Sequence, residues 1–261
     1  MKNKKSHNVL SGVYIMLIMI FFYAPIAVMI LYSFNSSKSM SHFAGFSLRW
    51  YKELINNDAI MSALAVTLIV AVVSAVCATL IGTLAAIGIQ SMKRKSQSAI
   101  MNFTYVPIVS PEIVMGVSLM LLFALFGMKS GMVTLVLAHI TFNIPYVILS
   151  VMPKLRQMDK HLFDAAMDLG CTPAMAFVKV MLPEIMPGIV TGFLMALTYS
   201  MDDFVISYFV SGASIQTLPV AIYSMTRRRV SPKINALSTI MFAVVLLILV
   251  IYNVVSSRKG K

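Results

Sequence analysis

Six long apolar stretches punctuate the chain, at about 9–33, 60–90, 98–126, 131–151, 185–210 and 234–255. Each reaches the roughly 20 residues that a helix needs to cross a hydrocarbon layer of about 30 Å, so each predicts a membrane span. An even number of spans puts both ends on one side. Two of the polar connections carry patterns of their own. In 35–58, Leu48, Tyr51, Leu54 and Ile55 recur at helical spacing with Arg49, Lys52 and Glu53 opposite. That predicts a short amphipathic helix, either lying at the outer interface beside Trp50 or packed on the spans. In 152–183, Asp159 is placed to cap a helix over 160–169, and Gly170 can take the left-handed conformation that ends it. Thr172 and Pro173 then restart the chain as cap and first helical residue. The connection therefore reads as helix, tight glycine turn, helix.

Composition agrees with the pattern. Hydrophobic residues fill 59% of the 261 positions and charged ones only 11%, against about 25% in a soluble domain. Too few charges remain to cover a soluble surface. The expected architecture is an all-α polytopic membrane protein, with 1–261 forming a single transmembrane domain. The net charge of +12 is gathered in short clusters between spans, without the aromatic interleaving of a nucleic-acid platform, so nucleic acid is excluded as a partner. The first apolar run exceeds the 7–15 residues or so of a signal-peptide core and lacks a small-residue cleavage site, so it is expected to remain as a span. With both ends inside, the inner segments hold 13 of the 21 Lys and Arg, among them Lys93, Arg94, Lys95, Lys154, Arg156 and Lys160. Both termini are therefore expected on the cytoplasmic side, although Arg227, Arg228 and Arg229 fall outside. Cys77 and Cys171 suggest neither a disulfide nor a metal site.

The 152–183 connection carries a motif. Asp164-Ala165-Ala166, three residues, Gly170, nine residues, then Val180, Met181, Leu182 and Pro183 resembles the cytoplasmic Glu-Ala-Ala signature of binding-protein-dependent ABC importer permeases. Asp164 stands for Glu and Val180 for Ile. The resemblance implies a type I ABC importer transmembrane fold and a coupling helix that docks into the ATP-binding subunit. Small Ala165 and Ala166 allow close approach to a partner, Gly170 permits the bend, and Leu162, Phe163 and Met167 offer an apolar face. No phosphate-binding Gly-x-x-x-x-Gly-Lys-Ser/Thr loop occurs, so ATP and its Mg²⁺ are expected on partner subunits, with no cofactor on this chain. The four histidines are scattered, His139 reads as a packed, hydrogen-bonded residue, and no metal site or catalytic constellation is expected.

Carboxylates are costly inside a membrane, about 2.5–3.5 kcal/mol for Asp at a helix centre. Three fall within the predicted spans: Glu112, Asp202 and Asp203. Glu112 and Asp202 lie about 15 and 16 residues into outward-running spans, both roughly 22–25 Å from the inner surface. Pro107 and Pro111 flank that depth, and Tyr105, Tyr199 and Tyr208 add faces that attract cations. Such a lining suits a cationic cargo; the other reading is that Asp202 and Asp203 cap a helix or pair with Arg227–Arg229.

Tyr32 to Ser37, Ser110 to Met115, His139 to Phe142, Asp164 to Gly170 and Ser200 to Asp203 are similar to the PotC-type subunits of spermidine/putrescine importers, which usually have Asp where Glu112 stands. The resemblance implies a polyamine importer of the bacterial cytoplasmic membrane. Its partners would be a homologous second permease subunit, two ATP-binding subunits and an extracytoplasmic substrate-binding protein. A permease of the same class for iron, thiamine or another solute is the alternative, and a stand-alone secondary transporter is a further one.

Overall fold

The computed structural model describes residues 3–39, 42–159, 161–228 and 232–259, and the apolar stretches within them are helical. In chain order the helices are α1 (Asn3–Ser33), α2 (Arg49–Ile55), α3 (Asp58–Gln90), α4 (Arg94–Val109), α5 (Glu112–Leu125) and α6 (Met132–Gln157). There follow α7 (His161–Asp168), α8 (Pro173–Ala176), a π-helical turn over Phe177–Met181, α9 (Leu182–Asp202), α10 (Val205–Val210), α11 (Leu218–Arg228) and α12 (Pro232–Lys259). Among the described residues no strand forms beyond a single bridge between Asn35 and Phe46.

Four described helical stretches are long and apolar enough to cross a membrane: Ser11–Ser33, Asp58–Gln90, Met132–Gln157 and Pro173–Asp202. The expected span at 98–126 is not one rod. It is the pair α4 and α5, bent by 104° at Ser110–Pro111. Pro111 disfavours helical geometry at the residue before it, and Ser110 is accordingly extended, with ψ 140. At 16 residues α4 is only about 24 Å long, short of a crossing by itself. The expected span at 185–210 also breaks, with Asp203 and Phe204 between α9 and α10. At 131–151 the helix is longer than expected and runs six residues into the predicted loop. The sixth expected span falls in α12, whose side chains are described only in part.

The helices gather into two compact units. One joins Met1–Met61 to Ile222–Lys261, where α1 and α2 both pack on α12. The amphipathic helix forms as α2 and packs on α12: Trp50 and Leu54 are buried, and Leu48 and Ile55 are exposed. The Trp50 indole N–H donates to the Asn35 carbonyl at 2.6 Å. Asn35 is the hub of this loop, its amide accepting from Ala44 N–H at 2.9 Å and donating to the His42 carbonyl at 2.8 Å.

The other unit, Ser62–Ala221, is built around α6 against α9. Gly188, Gly192 and Ala196 recur every four residues on α9 and are buried. A Cβ at Gly192 would lie 3.1 Å from Val147 Cα of α6, so the small residues let two backbones meet, the usual basis of membrane helix pairing. Ala75, Ala78 and Ala86 of α3 join the same core with Val147, Val151 and Ile185. Thr67 of α3 accepts from the Leu218 N–H at 2.7 Å, and Thr134 of α6 donates to the Val210 carbonyl at 2.9 Å.

Candidate functional site

Both broken helices end at one cavity of about 490 Å³. The α4–α5 bend supplies Pro107, Ser110, Pro111 and Glu112; α6 supplies Phe142 and Tyr146; the end of α9 and the break after it supply Tyr199, Asp202, Asp203 and Phe204. Glu112 is the first residue of α5, where a carboxylate is favoured by the unpaired N–H groups of the first turn. One turn on, Gly116 admits α10: a Cβ there would meet the Phe209 ring at 2.8 Å. The depth reached by counting along straight spans therefore does not apply to Glu112. The bend and the break bring Glu112 and Asp202 to one cavity by another route.

Tyr199 faces Tyr146 with ring centroids 4.4 Å apart and planes 34° apart. Tyr146 was missed by the sequence reading, because a tyrosine beside Pro145 in an apolar run carries no signal of what it faces. The structure does not bring Tyr105 to the cavity lining, and Tyr208 packs on Phe204 and Phe209. Glu112 and Asp202 are both exposed. A cation at 4 Å from either would gain about 1 kcal/mol in water and about 4 kcal/mol at an effective dielectric of 20.

Asp203 differs from Asp202. Its side chain is 7% exposed, and it caps α10 by accepting from the Ile206 N–H at 3.2 Å and the Ser207 N–H at 2.7 Å. His139, fully buried on α6, lies 3.5 Å from the Asp203 carboxylate. It is also hydrogen-bonded to Ser207 at 3.1 Å and to Ser200, in keeping with its reading as a packed residue. Arg227 lies over the Tyr223 ring; Arg229 and Lys160 are outside the described residues, as is the Arg228 side chain.

The motif loop forms as its residues dictate. Asp159 accepts from the His161 N–H at 3.0 Å at the start of α7. At its end the Cys171 N–H reaches the Ala166 carbonyl and the Gly170 N–H that of Met167, a Schellman closure with Gly170 at φ +89. Thr172 caps α8, accepting from the Met175 N–H at 3.3 Å, with Pro173 next to it. On α7, Ala166 is buried and Phe163 half-buried, while Leu162, Asp164, Ala165 and Met167 are exposed. Leu182 and Pro183 open α9 directly after the π turn. Pro183 has no N–H to offer the preceding turn, a physical reason for the widened ladder there. Both cysteines are free, and among the described residues no group of metal-ligating side chains occurs.

The family model described as binding-protein-dependent transport system inner membrane component matches residues 78–259. The putrescine transport system permease protein PotI of Escherichia coli (strain K12) is 41% identical over 232 residues, 86% of this chain and 83% of that protein. The spermidine/putrescine transport system permease protein PotC of the same organism is 38% identical over 254 residues, 97% of this chain and 96% of that protein. A chain in a crystal structure of a bacterial alginate ABC transporter, in complex with an alginate pentasaccharide-bound periplasmic protein, shares the fold. The TM-score is 0.74 at 16% identity, over 100% of this chain and 96% of that one.

Proposed function

This chain belongs to the binding-protein-dependent transport system inner membrane components, and on that premise we propose that it carries polyamines as one permease subunit of an ATP-driven importer. The observation that carries the cargo reading is the cavity that gathers Glu112, Asp202 and the Tyr146–Tyr199 pair. Two carboxylates on separate elements offer two charge partners to one extended polycation, and the tyrosine faces attract its methylene-linked ammonium groups. The names of the similar putrescine and spermidine/putrescine permeases support the same class of cargo. Residues 1–261 act as one transmembrane domain supplying half of the path, and a homologous second permease supplies the other half. Both termini lie in the cytoplasm, and an extracytoplasmic binding protein delivers the cargo.

The chain itself performs no covalent chemistry. Two ATP-binding subunits hold ATP and Mg²⁺, and the loop from Phe163 to Gly170 docks on one of them through Asp164, Ala165 and Met167, with buried Ala166 letting α7 seat closely on its own chain, backed by Leu182 and Pro183. Nucleotide-driven closure of those subunits then moves α7 as a rigid handle on the spans. The test is initial-rate uptake of labelled spermidine and putrescine by cells carrying the complete transporter. Glu112→Gln and Asp202→Asn should each lower uptake about 5–50-fold, with the subunit still present in the membrane. Unchanged uptake in both variants would sink the cargo path, and competition by thiamine or iron chelates rather than polyamines would sink the cargo class.

A further inference from the structure

One buried polar cluster is left over once the cavity and the loop are accounted for. His139 on α6 is fully buried and touches three elements at the place where the α9 helix stops. Its Nδ1 bonds Ser200 in the last turn of α9, its Nε2 lies 3.1 Å from Ser207 Oγ of α10, and the same nitrogen lies 3.5 Å from Asp203 Oδ2 in the break. Ser200 continues to Ser74 of α3 at 3.0 Å. An ionised carboxylate only accepts. The ring presents Nε2 to both the Ser207 hydroxyl and the Asp203 carboxylate, and Nδ1 to the Ser200 hydroxyl. Asp203 in turn holds the Ile206 and Ser207 N–H groups in the first turn of α10. The chain between Ser200 and Ser207 is thus fixed at both ends and in its middle by one imidazole. Asp202, which lines the cavity, and Tyr199, packed on Tyr146 with ring planes 34° apart, lie on that segment or next to it.

We propose that His139 is a positioning residue for transport: it sets the break between α9 and α10 through Asp203, and so sets where Asp202 and Tyr199 stand in the cavity. No part of the imidazole lines the cavity, so its effect is indirect. The inference rests on the reading of that cavity as the cargo path. Its chemistry is specific. A residue at 139 must offer polar atoms to Ser200, Ser207 and Asp203 at once, which Gln can do in part and Phe cannot.

The test uses the complete transporter in proteoliposomes, with initial rates for labelled spermidine and putrescine. His139→Phe should lower uptake about 10-fold or more, since it leaves the buried Asp203 carboxylate short of a donor. His139→Gln should stay within about 3-fold of the parent. Because both act on one segment, His139→Phe in an Asp203→Asn background should add less than about 3-fold to the worse single loss. The spermidine-to-putrescine ratio should also shift in the same direction in His139→Phe and Asp203→Asn, which a mere drop in folded transporter would not produce. Losses that multiply in the double variant, or an unchanged ratio, overturn the positioning role. If His139→Phe is not recovered in the membrane, Ser207→Ala takes its place in the same cycle with the same two criteria. Silence of Glu112→Gln and Asp202→Asn in these liposomes would instead sink the cargo path, a result read from different variants.

Discussion

Adding a single methyl group at Gly188 tests the central seam of the larger unit. A Cβ there would stand 2.9 Å from the Ser150 carbonyl oxygen, 3.0 Å from Lys154 Cγ and 3.2 Å from Val151 Cα. The lysine stem can swing aside, but the other two atoms are backbone of α6, so α6 and α9 must separate. Restoring ordinary contact at about 3.4 Å means an opening of roughly 0.5 Å, which forfeits about a quarter of each dispersion contact along the seam. Overpacking of this kind costs about 1–3 kcal/mol. Against it stands the gain of about 1 kcal/mol from replacing a helical Gly by Ala. Gly88 of α3 isolates that gain, because nothing lies within 4 Å of its Cβ position. The gap between Gly88→Ala and Gly188→Ala is then the packing cost alone, about 2–12 °C in melting temperature at about 2–4 °C per kcal/mol. The assay is survival of the monodisperse, detergent-purified transporter after stepwise heating. Gly88→Ala should melt at or above the parent and Gly188→Ala below Gly88→Ala. Equal midpoints for the two would refute the close approach of α6 and α9.

Two further changes probe other places. Asn143 is fully buried and neither end of its amide has a hydrogen-bond partner among the described residues; Asn143→Leu should raise the melting midpoint by the equivalent of about 1–3 kcal/mol, and a lower midpoint would refute an unpaired amide there. Gly170 stands at φ +89 with open space around a Cβ, so Gly170→Ala strains only the backbone, by about 1–2 kcal/mol. The loss should appear as ATP hydrolysis that no longer rises with cargo-loaded binding protein; normal stimulation would remove the docking role of α7.

Local chemistry made the loop legible in the sequence, and long-range packing hid much of the cavity. Asp159, Gly170, Thr172 and Pro173 act on neighbours within five residues, so spacing alone foretold the cap, the Schellman turn and the restart. Glu112, Asp202 and Tyr199 stood out because charge and aromatic faces are conspicuous in apolar runs. Hydropathy could not reveal that two of those runs break, since Ser110–Pro111 and Asp203–Phe204 interrupt geometry without interrupting composition. Pro111 stood out beside Glu112, yet its consequence, a 104° turn, shows only in the fold, where α5 meets α10 at Gly116. Trp50 reads as an interfacial anchor from its type; its burial depends on the Asn35 carbonyl, 15 residues away. Tyr105 and Tyr146 look alike in sequence, and only the fold decides which one lines the cavity.

The packing of α1 on α12 has a consequence for biosynthesis. About 200 residues separate the end of α1 at Ser33 from the start of α12 at Pro232. At a synthesis rate of about 5–20 residues per second, α1 is born some 10–40 s before the helix it rests on exists. Throughout that interval its apolar stretch lacks the helix it packs on in this unit. Tyr14 and Phe21, exposed even in the finished chain, give it a surface suited to that wait. The helix that closes this unit is therefore made long after α1, and a chain truncated before Pro232 would leave α1 without it.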